Sequence, residues 1–188
     1  VNADSTGSGA GIGNGLWGGM SGTINIDGNA DVTATSNSGA GIGSGNDSDV
    51  TKTGTINIGG NAKVFAFSKY DGAGIGGGNE GNMNGTINIR GNAKVIAASG
   101  RKGAGIGAGA ITEDENRNAQ GGNMSGTITI DGNATVNASA GNKYGAGIGT
   151  GRVRTWRSPW MNLDDGGDMS GTITIGGNAK VTAKSEGS

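Results

Sequence analysis

The chain contains no cysteine, no histidine and a single proline in 188 residues. The lack of cysteine excludes disulfides and thiolate metal sites, and the lack of histidine removes the commonest general base and zinc ligand. A formal net charge of −1 gives no basic field that would hold nucleic acid. The sequence has no apolar run of about 18 residues, so it predicts no membrane-spanning helix.

Glycine, by contrast, is abundant, at 44 of the 188 residues. This share is several times the roughly 7% of ordinary domains. Collagen is excluded, because glycine does not recur at every third position and proline is almost absent. A glycine-rich chain with few aromatic residues is otherwise typical of a disordered linker. The order of the residues therefore has to decide between a linker and a fold.

Two sequence blocks recur along the whole chain. The pentapeptide GAGIG begins at residues 9, 39, 72, 103 and 145. Each copy is followed by a block such as SGTINIDGNADVTA, which begins at Ser21, and the GTI glycines of successive blocks are 32, 31, 41 and 45 residues apart. A repeat of this length indicates stacked structural units.

Each repeat contains three short segments with the pattern of a strand. We call them face A (GAGIG), face B (GTINI) and face C (AKVTA); in faces B and C apolar and polar residues alternate, as in a strand with one buried side. Three strands per repeat match one coil of a parallel β-helix, in which each strand pairs with its equivalent about 4.8 Å away in the next coil. The predicted fold is all-β, a single parallel β-helix of about five coils at residues 1–34, 35–66, 67–97, 98–138 and 139–188. The handedness rule for parallel crossovers favours a right-handed helix.

Stacking of the coils predicts a ladder of one residue type at each inward position. Four ladders are apolar: Ile12, Ile42, Ile75, Ile106 and Ile148; Ile24, Ile56, Ile87, Ile128 and Ile173; Ile26, Ile58, Ile89, Ile130 and Ile175; and Val32, Val64, Val95, Val136 and Val181. A fifth consists of Asn29, Asn61, Asn92, Asn133 and Asn178. We expect these amides to hydrogen-bond along the axis in a tight, buried turn, after a glycine with positive φ.

Face A has two interpretations. Its glycines and alanines allow this side of each coil to lie close to the core, with one isoleucine per coil filling the interior. Alternatively, they make a flat face that packs against another molecule.

Both long insertions leave the corner between face A and face B, at residues 110–124 and 152–169 of adjacent coils. We therefore expect them to lie side by side. The second provides candidate ligand or interface residues, because Trp and Arg stack on sugars, bind anions and anchor interfaces. These candidates are Arg152, Arg154, Trp156, Arg157 and Trp160. In the alternative interpretation, the two tryptophans, Met161 and Leu163 form a small apolar cluster that folds the loop onto the solenoid.

A second candidate interface lies on face C. Since Val64 and Ala66 point inward, Phe65 and Phe67 are expected to point outward, beside Ile96 of the next coil. A contiguous exposed apolar patch is typical of an interaction surface. The alternative is that Tyr70 or a neighbouring loop covers the patch.

Nothing in the sequence predicts catalysis, a metal site or a cofactor. The turn after face B reads Asp27, Gly59, Arg90, Asp131 and Gly176, which is not a paired-carboxylate site. Acidic stretches such as Glu113–Glu115 are interpreted as solvated loops. The outward threonines of face B resemble an ice-binding surface, although three coils carry asparagine in the second file.

The chain termini resemble interrupted coils. The residues from Val1 match those before later copies of GAGIG, so Val1 is expected to lie in a face C strand. Both ends are expected to expose strand edges that template further pairing. The chain is then either a segment of a longer array or a subunit with complementary ends, which would form a filament.

The motifs GAGIGGG, SGTITI and GGNAKVTA resemble glycine-rich repeats of large secreted and cell-surface proteins of bacteria, especially gut Firmicutes. The resemblance covers all five coils. It implies an extracellular or cell-surface β-helix that acts as a stalk, adhesin or matrix element, and it implies no catalytic residues.

We therefore predict a non-enzymatic structural solenoid that stacks end to end into a fibre or stalk, or forms part of one. Its predicted partners are further copies of itself, head to tail, or neighbouring repeats of a longer chain, with surface glycans as a further candidate and no nucleic acid. The main alternative is a carbohydrate-binding adhesin module that uses the loops at 110–124 and 152–169. A polysaccharide-active enzyme and an ice-binding protein are further alternatives.

Overall fold

The computed structural model describes residues 1–46, 53–111, 122–142, 144–158 and 161–186. Within these ranges the chain forms eighteen strands and no helix. The strands make three parallel sheets and one antiparallel hairpin. The described residues contain no apolar helix of the length needed to cross a bilayer.

Face C forms the longest sheet, and its six strands follow one another in chain order. Equivalent residues of successive coils are directly paired, so that Val64 lies between Val32 and Val95. The first strand continues this register, because Ala3 pairs with Ala34, which confirms the placement predicted for the start of the chain. The strands are β1 (Asn2–Ser5), β4 (Asp31–Ser36), β7 (Lys63–Ser68), β10 (Lys94–Ser99), β13 (Thr135–Ala140) and β18 (Lys180–Ser185).

Faces B and A each form a five-stranded parallel sheet with the same order of coils. Face B comprises β3 (Thr23–Ile26), β6 (Thr55–Ile58), β9 (Thr86–Ile89), β12 (Thr127–Ile130) and β17 (Thr172–Ile175). Face A comprises β2 (Ile12–Gly13), β5 (Ile42–Gly43), β8 (Ile75–Gly76), β11 (Ile106–Gly107) and β14 (Ile148–Gly149). This architecture is a parallel β-helix of about five coils with three strands each, as the sequence predicts.

The strands of face A are only two residues long. In each GAGIG the alanine amide donates to the carbonyl four residues later, as from Ala40 to Ser44 and from Ala104 to Ala108, both at 2.9 Å. This bond closes a tight loop, which leaves only isoleucine and the last glycine to pair with the next coil.

The apolar ladders fill the interior as predicted. In the central coils their side chains are essentially inaccessible to solvent: Ile75, Ile89, Ile106 and Val136 are all 0% exposed. Each such isoleucine or valine contributes about 1.5–3 kcal/mol through burial. The core is therefore one continuous column along the axis of the solenoid.

The glycines of GAGIG are explained by close packing within the chain. A β-carbon on Gly41, the middle glycine, would lie 2.5 Å from the amide nitrogen of Phe67 in face C. A β-carbon on Gly43, which has φ of +139°, would lie 2.1 Å from the Gly76 carbonyl oxygen in the next coil. Residues 39–45 are all buried, so here face A leaves no broad flat surface for another molecule.

The asparagine ladder forms, but its predicted burial is wrong. The side-chain Nδ2 of each asparagine donates to Oδ1 of the preceding one, at 3.0–3.2 Å along Asn29, Asn61, Asn92, Asn133 and Asn178. The glycine before each asparagine has φ between +60° and +72°, as expected. All five side chains are nevertheless exposed. The inward residue of the corner is the next alanine, such as Ala62 or Ala93, and bonds between coils already satisfy the corner backbone.

The second insertion contains a β-hairpin, where only a loop is predicted from the sequence. Strand β15 (Arg152–Ser158) pairs antiparallel with β16 (Met161–Gly166). The register is irregular between Trp156 and Ser158. The sequence signal for such a hairpin is two alternating stretches, one with β-branched Val153 and Thr155 and one with Met161 and Leu163, separated by Pro159.

Candidate functional site

The two insertions begin side by side, as predicted. The Ile111 amide donates to the Arg152 carbonyl at 2.9 Å, and the Gly151 amide donates to the Gly122 carbonyl at 3.2 Å. Residues 112–121 of the first insertion lie outside the described part of the chain.

Among the candidates of the second insertion, Arg152 packs against its own chain. Its side chain is only 6% exposed, and its guanidinium carbon lies 4.5 Å from the centre of the Tyr144 ring. This cation–π contact orients the arginine toward the solenoid, and it could not be predicted from the repeat pattern.

Backbone pairing places three of the other four candidates, Arg154, Trp156 and Arg157, in the hairpin. Arg154 pairs with Asp164, and Trp156 pairs with Asn162, while Arg157 lies at the irregularity of the hairpin. Trp160 lies outside the described residues. A ligand site on this loop, and equally a satellite apolar cluster, therefore stays a prediction.

The predicted apolar patch on face C is present on the outer surface. Phe65 is 40% exposed and pairs with Ile96, which is 48% exposed. Phe67, half-buried, has its ring centroid 6.3 Å from that of Phe65, with 25° between the ring planes. Its neighbour in the next coil is Ala98. Together, Phe65, Phe67, Ile96 and Ala98 form what we call the face C patch.

Tyr70 does not serve as the cover that the alternative interpretation requires. Its ring instead contacts two cations, with the Arg101 guanidinium carbon at 4.7 Å and the Lys69 ammonium at 5.2 Å from the ring centre. Phe65 and Ile96 remain exposed to solvent.

Two lysines that are not among the predicted site residues border this patch. Lys63 and Lys94 are paired across adjacent strands, two residues before Phe65 and Ile96, and both are exposed. They belong to a file of outward residues that begins five of the six face C strands: Asp31, Lys63, Lys94, Thr135 and Lys180. In each coil the inward valine directly follows the residue of this file, so aligning the repeats on that valine would have revealed the file.

A groove of about 340 Å³, which we call the face C groove, lies between this file and the face C patch. One wall carries Asp31, Lys63, Lys94 and Thr135, and the other carries Thr33, Phe65, Ile96 and Asn137. Its floor is the strand backbone around Val32, Val64 and Val95. Because it spans four successive coils, it is about 14 Å long and runs parallel to the solenoid axis.

A second groove, of about 330 Å³, lies on face B. Asn25, Asn57 and Asn88 form a further amide ladder there, with two hydrogen bonds of 2.8 Å. The charged residues in its lining are Asp27 and Arg90, so this groove offers one carboxylate rather than a pair. Among the described residues, no three acidic, histidine or cysteine side chains cluster closely enough to hold a metal ion.

The third feature is the open axial edge of the coil that contains β17 and β18. Ile175 and Met169 occupy inward positions and are nevertheless 52% and 51% exposed. Their equivalents one coil earlier, Ile130 and Met124, are 0% exposed. A further coil in the same register would cover this apolar surface.

A family model described as "Beta helix repeat" matches residues 24–46, 87–110 and 128–152. The chain contains β-helix repeats. Each matched segment starts within a face B strand, passes through face C and ends just after face A, so the boundaries coincide with the structural coil. Neither the curated proteins nor the solved structures provide a match.

Proposed function

We propose that this protein is a non-enzymatic structural solenoid whose coils stack end to end in a fibre or stalk. The observation that supports this proposal is the open edge at Ile175 and Met169, where inward apolar side chains are half exposed. In the preceding coils the same positions are sealed by the next coil. A further coil of the same pattern, from a second copy or from additional repeats, would bury them in the same way.

The asparagine ladder gives such stacking a direction. Every amide of the ladder donates from a later coil to an earlier one, beginning with Asn61 to Asn29. No described residue donates to Asn178 Oδ1, and Asn29 Nδ2 donates to none. The ladder is therefore polar, because each coil presents a donor toward the preceding coil and an acceptor toward the following one, and this polarity favours head-to-tail stacking of like coils.

We further infer an extracellular or cell-surface location and a role without catalysis. The location rests on the resemblance of the repeats to those of secreted and surface proteins of bacteria. The lack of histidine, and a lining with one carboxylate in the face B groove, support a structural role over a hydrolytic one.

Electron microscopy and sedimentation of the purified chain over a range of concentrations test the proposal. We expect filaments whose length grows with concentration. Substituting Ile175→Lys places a charge on the open apolar edge and is expected to abolish them, because a buried unpaired charge is costly. Thr174→Lys is the matched control, since Thr174 lies on the same strand and points outward.

If the chain remains monomeric, a second variant distinguishes additional repeats from a second copy. One more coil with the sequence of residues 70–99, which runs through faces A, B and C in that order, is appended after residue 186. A rise in melting temperature would support stacking within one chain. Monomers without such a rise, or filaments unaffected by Ile175→Lys, would contradict the proposal.

A further inference from the structure

We propose that the face C groove binds an acidic polysaccharide, with its carboxylates on Lys63 and Lys94 and the apolar faces of its sugar rings on Phe65 and Ile96. This site lies on the side of the solenoid, away from the axial edge. It is therefore independent of end-to-end stacking.

The charge of the groove argues for an anionic ligand. Lys63 and Lys94 lie in register, so their backbones are about 4.8 Å apart. Within the described part of the chain, neither ammonium forms an ion pair or a hydrogen bond. Two neighbouring like charges repel each other, and an anion between them relieves this repulsion.

The apolar wall argues for a ligand with extended flat surfaces. Phe65 and Ile96 each keep 40% or more of their surface exposed, although most positions of this outward type carry small or polar residues. At the same register the other coils have Asn2, Thr33, Asn137 and Thr182. The apolar wall is therefore confined to the two coils that also carry the lysine pair.

The floor of the groove argues for a carbohydrate over an acidic peptide. The floor is the face of a sheet, whose backbone groups already bond to neighbouring strands. An extended peptide lying there would find no partners for its own amides and carbonyls, which is costly. Sugar hydroxyls can remain in water or bond to Thr33, Thr135 and Asn137, which lie toward the ends of the groove.

Asp31 determines where the anion lies. It pairs in register with Lys63 on the side away from Lys94. An anionic group is therefore favoured between the two lysines and disfavoured beyond Lys63. Removing this carboxylate with Asp31→Asn should strengthen binding, the opposite sign from removing a lysine.

Titration with tetragalacturonate, followed by NMR shifts of the backbone amides, tests this site. We expect shifts centred on residues 63–65 and 94–96, and an affinity that falls as salt rises, because exposed charges are screened. Lys63→Gln and Lys94→Gln should each weaken binding by about 2- to 5-fold. Lys180→Gln is the matched control, because Lys180 belongs to the same file but lies outside the groove.

Phe65→Thr and Ile96→Thr test the apolar wall. Threonine occupies this register in two other coils, at Thr33 and Thr182, so both variants should keep the fold and melt close to the parent. We expect each to weaken binding by about 5-fold or more, since the stacking surface is lost.

Two further probes separate the alternatives. The methyl-esterified tetramer, which lacks charge, should bind more weakly than the free acid, and tetraglutamate should not compete. Equal binding of the ester would refute the role of the lysines, and equal binding of tetraglutamate would refute the carbohydrate. A lack of shifts at about 10 mM tetragalacturonate would refute the site as a whole.

Discussion

Gly74 lies so close to face C that a β-carbon built on it would be 2.4 Å from the amide nitrogen of Ala98. Its equivalents in the adjacent coils, Gly41 and Gly105, would approach Phe67 and Ser139 at 2.5 Å in the same way. Through this contact the backbone of face A packs directly on the backbone of face C in each coil. It explains why the middle residue of GAGIG is glycine in every repeat.

Replacing Gly74 by alanine is therefore expected to destabilise the protein by about 3 kcal/mol or more, because the clash is with backbone atoms that cannot rotate away. The measurement is the free energy of unfolding in urea. Gly22→Ala serves as the control, since a β-carbon on Gly22 would meet nothing within 4 Å. Equal stability of the two variants would show that the faces can separate at no cost.

The exposed asparagine ladder makes a graded prediction. Asn92→Ala removes two side-chain hydrogen bonds, to Asn61 and from Asn133, and should lower the free energy of unfolding by about 1–2 kcal/mol. Asn29→Ala removes one such bond and should cost about half as much. Chemical denaturation of both variants provides the comparison. Equal losses would mean that the two hydrogen bonds of Asn92 do not contribute independently.

The repetitive part of this fold could be predicted from the sequence, because in a solenoid each residue mostly meets its own equivalent in the next coil. The spacing of Ile75 and Ile106 therefore carries the information that fixes their contact. Whether the Asn92 side chain faces the core or the solvent could not be predicted from this spacing. Glycine followed by asparagine suits a turn whether the amide points in or out, and only the burial of Ala93 decides it.

The candidate sites were less predictable, since they depend on departures from the repeat. Phe65 and Ile96 could be identified as outward residues because the alternation of a strand is strict. The contact between Arg152 and Tyr144 could not, because those residues lie in different turns and neither belongs to the repeat pattern. The pair of Lys63 and Lys94 could be identified only by aligning the coils residue by residue, because neither lysine stands out in the motif of a single coil.

The hairpin of β15 and β16 should be dispensable for the solenoid. The corner beneath it closes on its own, since the Gly167 amide donates to the Gly151 carbonyl at 3.0 Å. Replacing residues 153–165 by two glycines retains this bond, and it also retains the Arg152 carbonyl that accepts from Ile111. We expect the free energy of unfolding to change by less than about 1 kcal/mol, because the cost of closing a loop depends only weakly on its length.

Gly167→Ala provides the contrast for this deletion. A β-carbon on Gly167 would lie 1.9 Å from the Gly122 carbonyl oxygen, so the substitution forces the corner itself to move and should cost about 3 kcal/mol. Thermal and urea unfolding of both variants measure the difference. A deletion as damaging as Gly167→Ala would mean that the hairpin packs onto the coils, which would favour the satellite apolar cluster over a projecting ligand loop.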